Sequence, residues 1–386
     1  MAEKETKQII ADVFQGLANT LETSRGVSST VALTALGSEH DEAELIEAAK
    51  MAADKGISVK VIGTQKIDYS GIESFLVSDA EEGHKKLEEL LNEGVADAGV
   101  TMHYPFPIGV STVGRVLTPA KGKHMYLATT TGTSALTRVE ALVRNALYGI
   151  ITAKACGIAE PTIGLLNIDG ARQAEITLKR LAENGYPIHF ATSNRSDGGA
   201  VMRGNDVFAG TCDVMVMDSL TGNILQKIFS SYSTGGNYES LGFGYGPGVG
   251  EEMNKLIMIV SRASGSPVVR GALEFADELV RGNFQQVQEA EFTKLRQASL
   301  DTLLKEIQPQ KEVVQEEVTQ PDKEIVTEEI HGVEILDLED AVHHLWKQGI
   351  YAESGMGCTG PVVMIADKRL SEAKACLADG GGYIGN

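Results

Sequence analysis

Four places in the chain set reactive or anion-binding side chains at the ends of apolar runs. Asp218, Thr221, Gly222 and Asn223 follow residues 214–217 (VMVM) and precede an apolar, helix-like stretch that reaches Lys227. The first run reads as a fully apolar strand, and α/β proteins present ligands beyond the carboxyl ends of such strands. Amides and hydroxyls at a helix start complement an anion, which makes these four residues candidate ligands, although Thr-Gly-Asn also serves as an ordinary N-cap. Arg262 and Ser264, in residues 261–265 (SRASG), offer a guanidinium and a hydroxyl to the same anion. Asn167 follows residues 163–166 (IGLL) and fits either a carboxamide that positions a carbonyl or a buried, hydrogen-bonded amide. Cys358 stands between Gly357 and Gly360 ahead of the apolar residues 362–366. Backbone amides of such a turn can face a thiolate and lower its pKa, which makes Cys358 the candidate nucleophile.

The remaining cysteines and histidines carry less. Cys156 and Cys376 fall on apolar helix faces, and Cys212 abuts the strand before Asp218 as a candidate secondary thiol. With no CxxC pair among the four cysteines, neither a disulfide frame nor a zinc site is indicated. His343 and His344 are adjacent on a predicted helix and point apart, so no metal site is expected.

Alternating strand-like and helix-like runs must position these residues. Strands are predicted at 31–36, 59–62, 95–102, 126–131, 188–191 and 256–261, besides those already given. Helices are predicted at 41–55, 79–93, 134–156, 172–184, 268–281 and 285–307. The order strand, crossover helix, strand implies parallel pairing. Residues 242–250 (GFGYGPGVG) lead into Glu251 and Glu252, which would repel phosphate, so this segment is read as a flexible wall or subunit-contact loop. Residues 308–331 form an acidic tether interrupted by Pro309 and Pro321, and residues 332–386 regain a helix (338–348), a glycine-rich turn, a strand (362–366) and a helix (371–379). Such a tether buries too little to offset its ordering entropy. The expected domains are therefore 1–307, a linker at 308–331, and a small cysteine-bearing α+β module at 332–386.

Composition bounds the function classes. The 386 residues carry a net charge of -19, which argues against nucleic acid or an anionic membrane as partner. An apolar fraction of 42% suffices for a core, and no apolar run approaches the length of a membrane span. A cytoplasmic enzyme is expected.

The strand ending in Asn167 and the loop from Asp218 to Asn223 resemble the bacterial phosphate acyltransferases of phospholipid synthesis. Residues 34–40 (TALGSEH), 240–250 and 261–265 are similar to further turns of that family, so the likeness covers roughly residues 28–282. It implies a three-layer α/β fold with a mostly parallel sheet, similar to isopropylmalate dehydrogenase, and the joining of an acyl group to inorganic phosphate without a cofactor. In residues 34–40 only Ala35, Gly37 and the acidic character of Glu39 match the family's turn. Those enzymes insert a long helical hairpin where this chain passes from Lys227 to Leu241 in a few polar residues, which implies a short acyl group handled in solution.

Residues 355–365 (GMGCTGPVVMI), with the tether and the core, resemble the alpha subunits of component C of the glycine, sarcosine and betaine reductase complexes. That resemblance implies a beta subunit similar to thiolases and ketoacyl synthases, a selenoprotein A that delivers a carboxymethyl group, and acetyl phosphate as product. It also implies a hetero-oligomer, with Cys358 carrying an acetyl thioester that phosphate attacks. A phosphotransacetylase using coenzyme A, a non-catalytic scaffold subunit and a hydroxyacid dehydrogenase are the alternative readings, the last without a dinucleotide fingerprint.

Overall fold

A computed structural model describes residues 29–194, 198–308, 320–333, 337–357, 360–379 and 383. The chain divides into two compact units, at 1–308 and 309–386.

The first unit is built on a twelve-stranded sheet. Its strands are β1 (Thr30–Thr34), β2 (Ser58–Gly63), β3 (Ile72–Leu76), β4 (Ala98–Thr101), β5 (Val110–Leu117), β6 (His124–Thr133), β7 (Thr162–Leu166), β8 (His189–Phe190), β9 (Val201–Met202), β10 (Val214–Val216), β11 (Gly246–Val249) and β12 (Ile257–Ile259). They lie in the order β3-β2-β1-β4-β12-β11-β5-β6-β10-β7-β8, with β9 also on β7. The pairs from β3 to β12 are parallel, and so are those from β6 to β8. Between these halves the contacts β12–β11, β11–β5 and β5–β6 are antiparallel. Three successive reversals leave the two parallel halves running in opposite directions, so their carboxyl ends lie on opposite edges of the sheet.

Side-chain alternation creates the three layers. In β10, Val214 and Val216 join the core beneath the helix Arg138–Ala155, while Met215, with Met217 just beyond the strand, joins Phe229 of the helix Ser219–Ser231 on the other face. In β1, Val31 and Leu33 face the helices Glu42–Ala53 and Ser266–Arg281, and Ala32 faces Leu87 and Leu90 of the helix Ala80–Asn92. Each fully buried strand side chain of this size contributes roughly 1.5–3 kcal/mol. The expected three-layer, mostly parallel fold is therefore observed.

Several expectations change. The glycine-rich segment read as a wall or contact loop contains β11, whose four residues are buried. Gly246 is required there by close approach, because a Cβ would lie 1.8 Å from the Val113 carbonyl oxygen. β5 went unpredicted because its polar residues are buried with partners: Thr112 pairs with Thr130 at 2.7 Å, and Arg115 pairs with Glu278 between the rings of Phe243 and Phe275. The single helix expected at 285–307 is two, Phe284–Gln297 and Leu300–Ile307, broken where Ser299 takes a φ of 63°.

The second unit has a sheet of β13 (Glu328–Ile330), β14 (Ala352–Gly357) and β15 (Gly360–Ile365), all antiparallel in the order β13-β15-β14. Helices Leu338–Lys347 and Leu370–Asp379 cover a core that includes Val342, Leu345, Ile350, Val363, Ile365 and Leu377. β13 corrects the reading of 308–331 as tether throughout, since Glu328 to Ile330 pair with Ile365 to Val363. β14 likewise replaces part of the expected glycine-rich turn.

Candidate active site

The helix Ser219–Ser231 starts where β10 ends, and Asp218 is its N-cap. The Asp218 carboxylate accepts a hydrogen bond from the Thr221 amide at 2.9 Å and another from the Thr221 hydroxyl at 2.7 Å. Gly222 lies against β6, where a Cβ would fall 1.7 Å from the Thr129 carbonyl oxygen, so the helix reaches the sheet only with glycine there. Asn223 Nδ2 donates to the Thr130 carbonyl at 3.2 Å and fastens the first turn to the strand. The motif thus caps, seats and ties the helix with its own atoms.

Beside this turn lies a cavity of about 220 Å³ at the carboxyl end of β6. Its walls include Thr133, Ser134, Thr137, Arg138, Asp218 and Ser219. Asn145, 1% exposed, also lines it, donating to the Met217 carbonyl at 2.9 Å and accepting from the Ser111 hydroxyl at 3.2 Å. Thr137 is the N-cap of the helix Arg138–Ala155 yet makes no side-chain cap bond. Its buried Oγ1 has no hydrogen-bond partner among the described residues. An uncapped helix start surrounded by hydroxyls, with one guanidinium beside it, is suited to an anion. That guanidinium, Arg138, is exposed and pairs with Asp169 at 3.1 Å.

Sequence reasoning missed Ser134, Thr137 and Arg138. A signal was present: residues 129–134 (TTTGTS) run hydroxyls past a strand end, and Thr137 is followed three positions later by Glu140, the spacing of a capping box. Asn167 lies on the same edge of the sheet, just beyond β7, but is exposed and does not line the cavity.

Arg262 and Ser264 lie elsewhere. Ser264 is fully buried, donates to Glu239 at 2.8 Å and accepts from the Ser261 amide at 3.1 Å. The Arg262 side chain is exposed, and its carbonyl accepts from the Glu39 amide at 2.9 Å. Glu239 adjoins the far end of the helix Ser219–Ser231, where the Ser240 amide donates to the Ser230 carbonyl at 2.8 Å. Ser230 lies nine positions along the helix from Thr221, about 13.5 Å at 1.5 Å per residue. The structure therefore does not unite the Thr221 and Arg262 groups, because β10 and β12 end on opposite edges of the sheet. At the second edge the first amide of the helix Ser266–Arg281 is taken by Glu44, 2.8 Å from the Ser266 nitrogen. That bond, with a further one from Tyr238, outweighs desolvation and holds the Glu44 carboxyl below the usual range.

Cys358 and Thr359, the two residues between β14 and β15, lie outside the described residues. The other thiols are disfavoured as nucleophiles. Burial pushes Cys156 up to about 12 and Cys212 up to about 12, and burial also raises Cys376. No group of three or more histidine, cysteine or acidic side chains among the described residues is placed to hold a metal ion. No helix among them is long and apolar enough to cross a membrane.

A family model described as fatty acid synthesis protein matches residues 29–364. The glycine/sarcosine/betaine reductase complex component C subunit alpha of Peptoclostridium acidaminophilum is 53% identical over 98% of this chain and 99% of its own length. The phosphate acyltransferase of Thermus thermophilus is 35% identical over 97 residues, 25% of this chain and 28% of that protein. Among solved structures, a branched-chain phosphotransacylase from Enterococcus faecalis V583 aligns with a TM-score of 0.43 at 18% identity, covering 65% of this chain and 99% of that one. The chain belongs to the fatty acid synthesis protein family and, within it, groups with the component C alpha subunits of glycine/sarcosine/betaine reductase complexes.

Proposed function

We propose that the chain is the acetyl-phosphate-forming alpha subunit of such a complex, acting in the cytoplasm without a cofactor. The observation that carries the reading is the cavity of about 220 Å³ with the uncapped Thr137–Arg138 helix start on one wall and the Asp218 carboxylate on another. A space of this size suits inorganic phosphate with a two-carbon acyl group rather than a long chain. Inorganic phosphate sits with its charged oxygens toward the helix start and Arg138, and its remaining proton toward Asp218. The acyl donor is an acetyl thioester on Cys358, formed with the help of the thiolase-like beta subunit from the carboxymethyl selenoether of selenoprotein A: the carbon–selenium bond breaks reductively while the selenium and a thiol of selenoprotein A are oxidised to a selenide–sulfide, and one carboxyl oxygen leaves as water as the Cys358 sulfur bonds the acyl carbon. A phosphate oxygen attacks the thioester carbonyl, Asp218 takes the proton, the carbon–sulfur bond breaks, and the thiolate of Cys358 leaves with acetyl phosphate formed.

The relative that is 53% identical supports the complex, and the phosphate acyltransferase relatives support phosphorolysis. The test is reconstitution with beta subunit and carboxymethylated selenoprotein A, measuring acetyl phosphate. The isolated chain is expected to be inactive, including toward acetyl-coenzyme A. Rapid turnover of acetyl-coenzyme A by the chain alone would instead make it a phosphotransacetylase. Full activity of the complex with an Arg138→Ala, Thr137→Ala chain would move phosphate out of this cavity.

A further inference from the structure

One face of the helix Arg138–Ala155 runs the length of the cavity beside Asp218. Arg138, Ala141, Leu142 and Asn145 all line it, at the spacing i, i+3, i+4 and i+7 that a single helix face presents. Exposure orders these residues from mouth to floor. Arg138 is exposed and the neighbouring Leu136 is 65% exposed, whereas Leu142 and Asn145 are each 1% exposed. The chemistry of the wall changes along the same path: Thr137 and Arg138 are polar, Ala141 and Leu142 are apolar, and the Asn145 amide closes the end.

The inner end is built to hold its shape. The Asn145 amide is bonded on both sides, donating to the Met217 carbonyl and accepting from the Ser111 hydroxyl. Leu142 belongs to the main core and is backed by the Gly170 turn, where a Cβ would lie 3.6 Å from Leu142 Cδ1. Cores packed in this way resist added volume. From Arg138 the helix rises about 6 Å to Leu142 and about 10.5 Å to Asn145. An anion held at the helix start therefore leaves a short apolar space that ends at the Leu142 isobutyl group.

We infer that Leu142 sets the length of the acyl group, an inference that rests on the reading of this cavity as the phosphate site. The phosphoryl oxygens lie at Thr137 and Arg138, the methyl of an acetyl group points inward against Ala141 and Leu142, and acyl groups of four or more carbons meet the Leu142 side chain. Selectivity for two carbons is thus carried by one leucine a turn inside the helix start rather than by the cavity's mouth.

The test is calorimetric titration of the full chain with inorganic phosphate, acetylphosphonate and butyrylphosphonate, the last two being acyl phosphate analogues that lack the bridging oxygen. The wild-type chain should bind acetylphosphonate at least about tenfold more tightly than butyrylphosphonate, since methylenes in excess of a packed pocket weaken binding by roughly that factor or more. Leu142→Ala should raise the affinity for butyrylphosphonate about tenfold by opening space toward Gly170. Ala141→Leu, at a half-buried position nearer the mouth, should weaken acetylphosphonate about tenfold and leave inorganic phosphate unchanged. Equal affinity of the wild type for the two analogues, or a ratio that neither variant moves, overturns the inference, while phosphate binding that Arg138→Ala weakens keeps the phosphate reading in place. Phosphate binding that is absent, or that Arg138→Ala does not change, overturns that reading and the inference with it. Ala141→Leu opens no hole in the core, so an unfolded Leu142→Ala chain leaves the test standing.

Discussion

The Asp218 carboxylate holds Thr221 twice, by its amide at 2.9 Å and by its hydroxyl at 2.7 Å, and so occupies with its own charge the helix start that the sequence offers to an anion. On the wall of the same cavity, the start of the helix Arg138–Ala155 is left uncapped, with the Thr137 hydroxyl buried and unpartnered among the described residues. One carboxylate therefore closes one helix end, and the neighbouring end stays open for an anion.

Removing that cap has a defined cost. Asp218→Ala should lower stability by about 1 kcal/mol, whereas Asp218→Asn, which can still accept from the Thr221 amide, should lose only part of it. Thermal unfolding of the two variants checks this, and equal midpoints for Ala and wild type would show that the bond does not hold the helix.

The two arginines should separate in phosphate dependence. Arg138→Ala should raise the phosphate requirement of the complex about tenfold, equivalent to about 1.4 kcal/mol. Arg262→Ala, on the opposite edge of the sheet, should leave it unchanged. A phosphate titration of acetyl phosphate formation decides between them, and the reverse pattern would return the anion to the Arg262 turn.

Thiol chemistry should be confined to one residue. Cys358→Ser should abolish acetyl phosphate formation and acetyl labelling of the chain without altering the unfolding of the first unit. Cys212→Ala should leave labelling intact, because a buried thiol pushed up to about 12 is almost wholly protonated near neutral pH. Mass spectrometry of the chain trapped during turnover identifies the acetylated cysteine.

Acid should weaken the fold through Glu291. Burial alone would raise its pKa, but hydrogen bonds from Lys154, Lys294 and Tyr186 outweigh burial and hold the carboxyl below its usual 4.5. The lowered native value means that the stabilisation is fully present above the ordinary glutamate range and is lost as pH falls through the native value. Glu291→Gln should therefore cost on the order of 2–3 kcal/mol at pH 7 and flatten the acid limb. Urea unfolding at neutral pH and below pH 4 measures both effects.

Much of this was legible in the sequence where local pattern and tertiary role agree. The run at 214–217 is apolar on both faces because β10 is covered by helices on both sides, so strand and following helix were readable. β11 was not, since the glycines at alternate positions that look like a loop are what allow the strand to lie against Val113. That alternation has the two-residue period of a strand and was the available clue. Arg115 and Thr112 disguised β5, because burial of polar residues depends on partners far along the chain. Uniting Arg262 with Thr221 failed for a topological reason: each sits at a strand end, but motifs do not record strand direction, and β12 and β10 point opposite ways.

The position of β12 in the sheet also bears on how the chain is made. β4 pairs with β1 on one side and waits on the other for Ile257–Ile259, more than 150 residues later in synthesis. At roughly 5–20 residues per second, that interval lasts on the order of ten seconds or more. Throughout it the nascent half-sheet exposes an open edge at Ala98–Thr101, all four residues of which end buried, and the helix Ser266–Arg281 that covers Glu42–Ala53 is not yet made. An exposed apolar edge is a template for pairing with another chain. Protection of that edge by a chaperone, or slow translation before residue 257, should therefore govern how much of the protein reaches its native form.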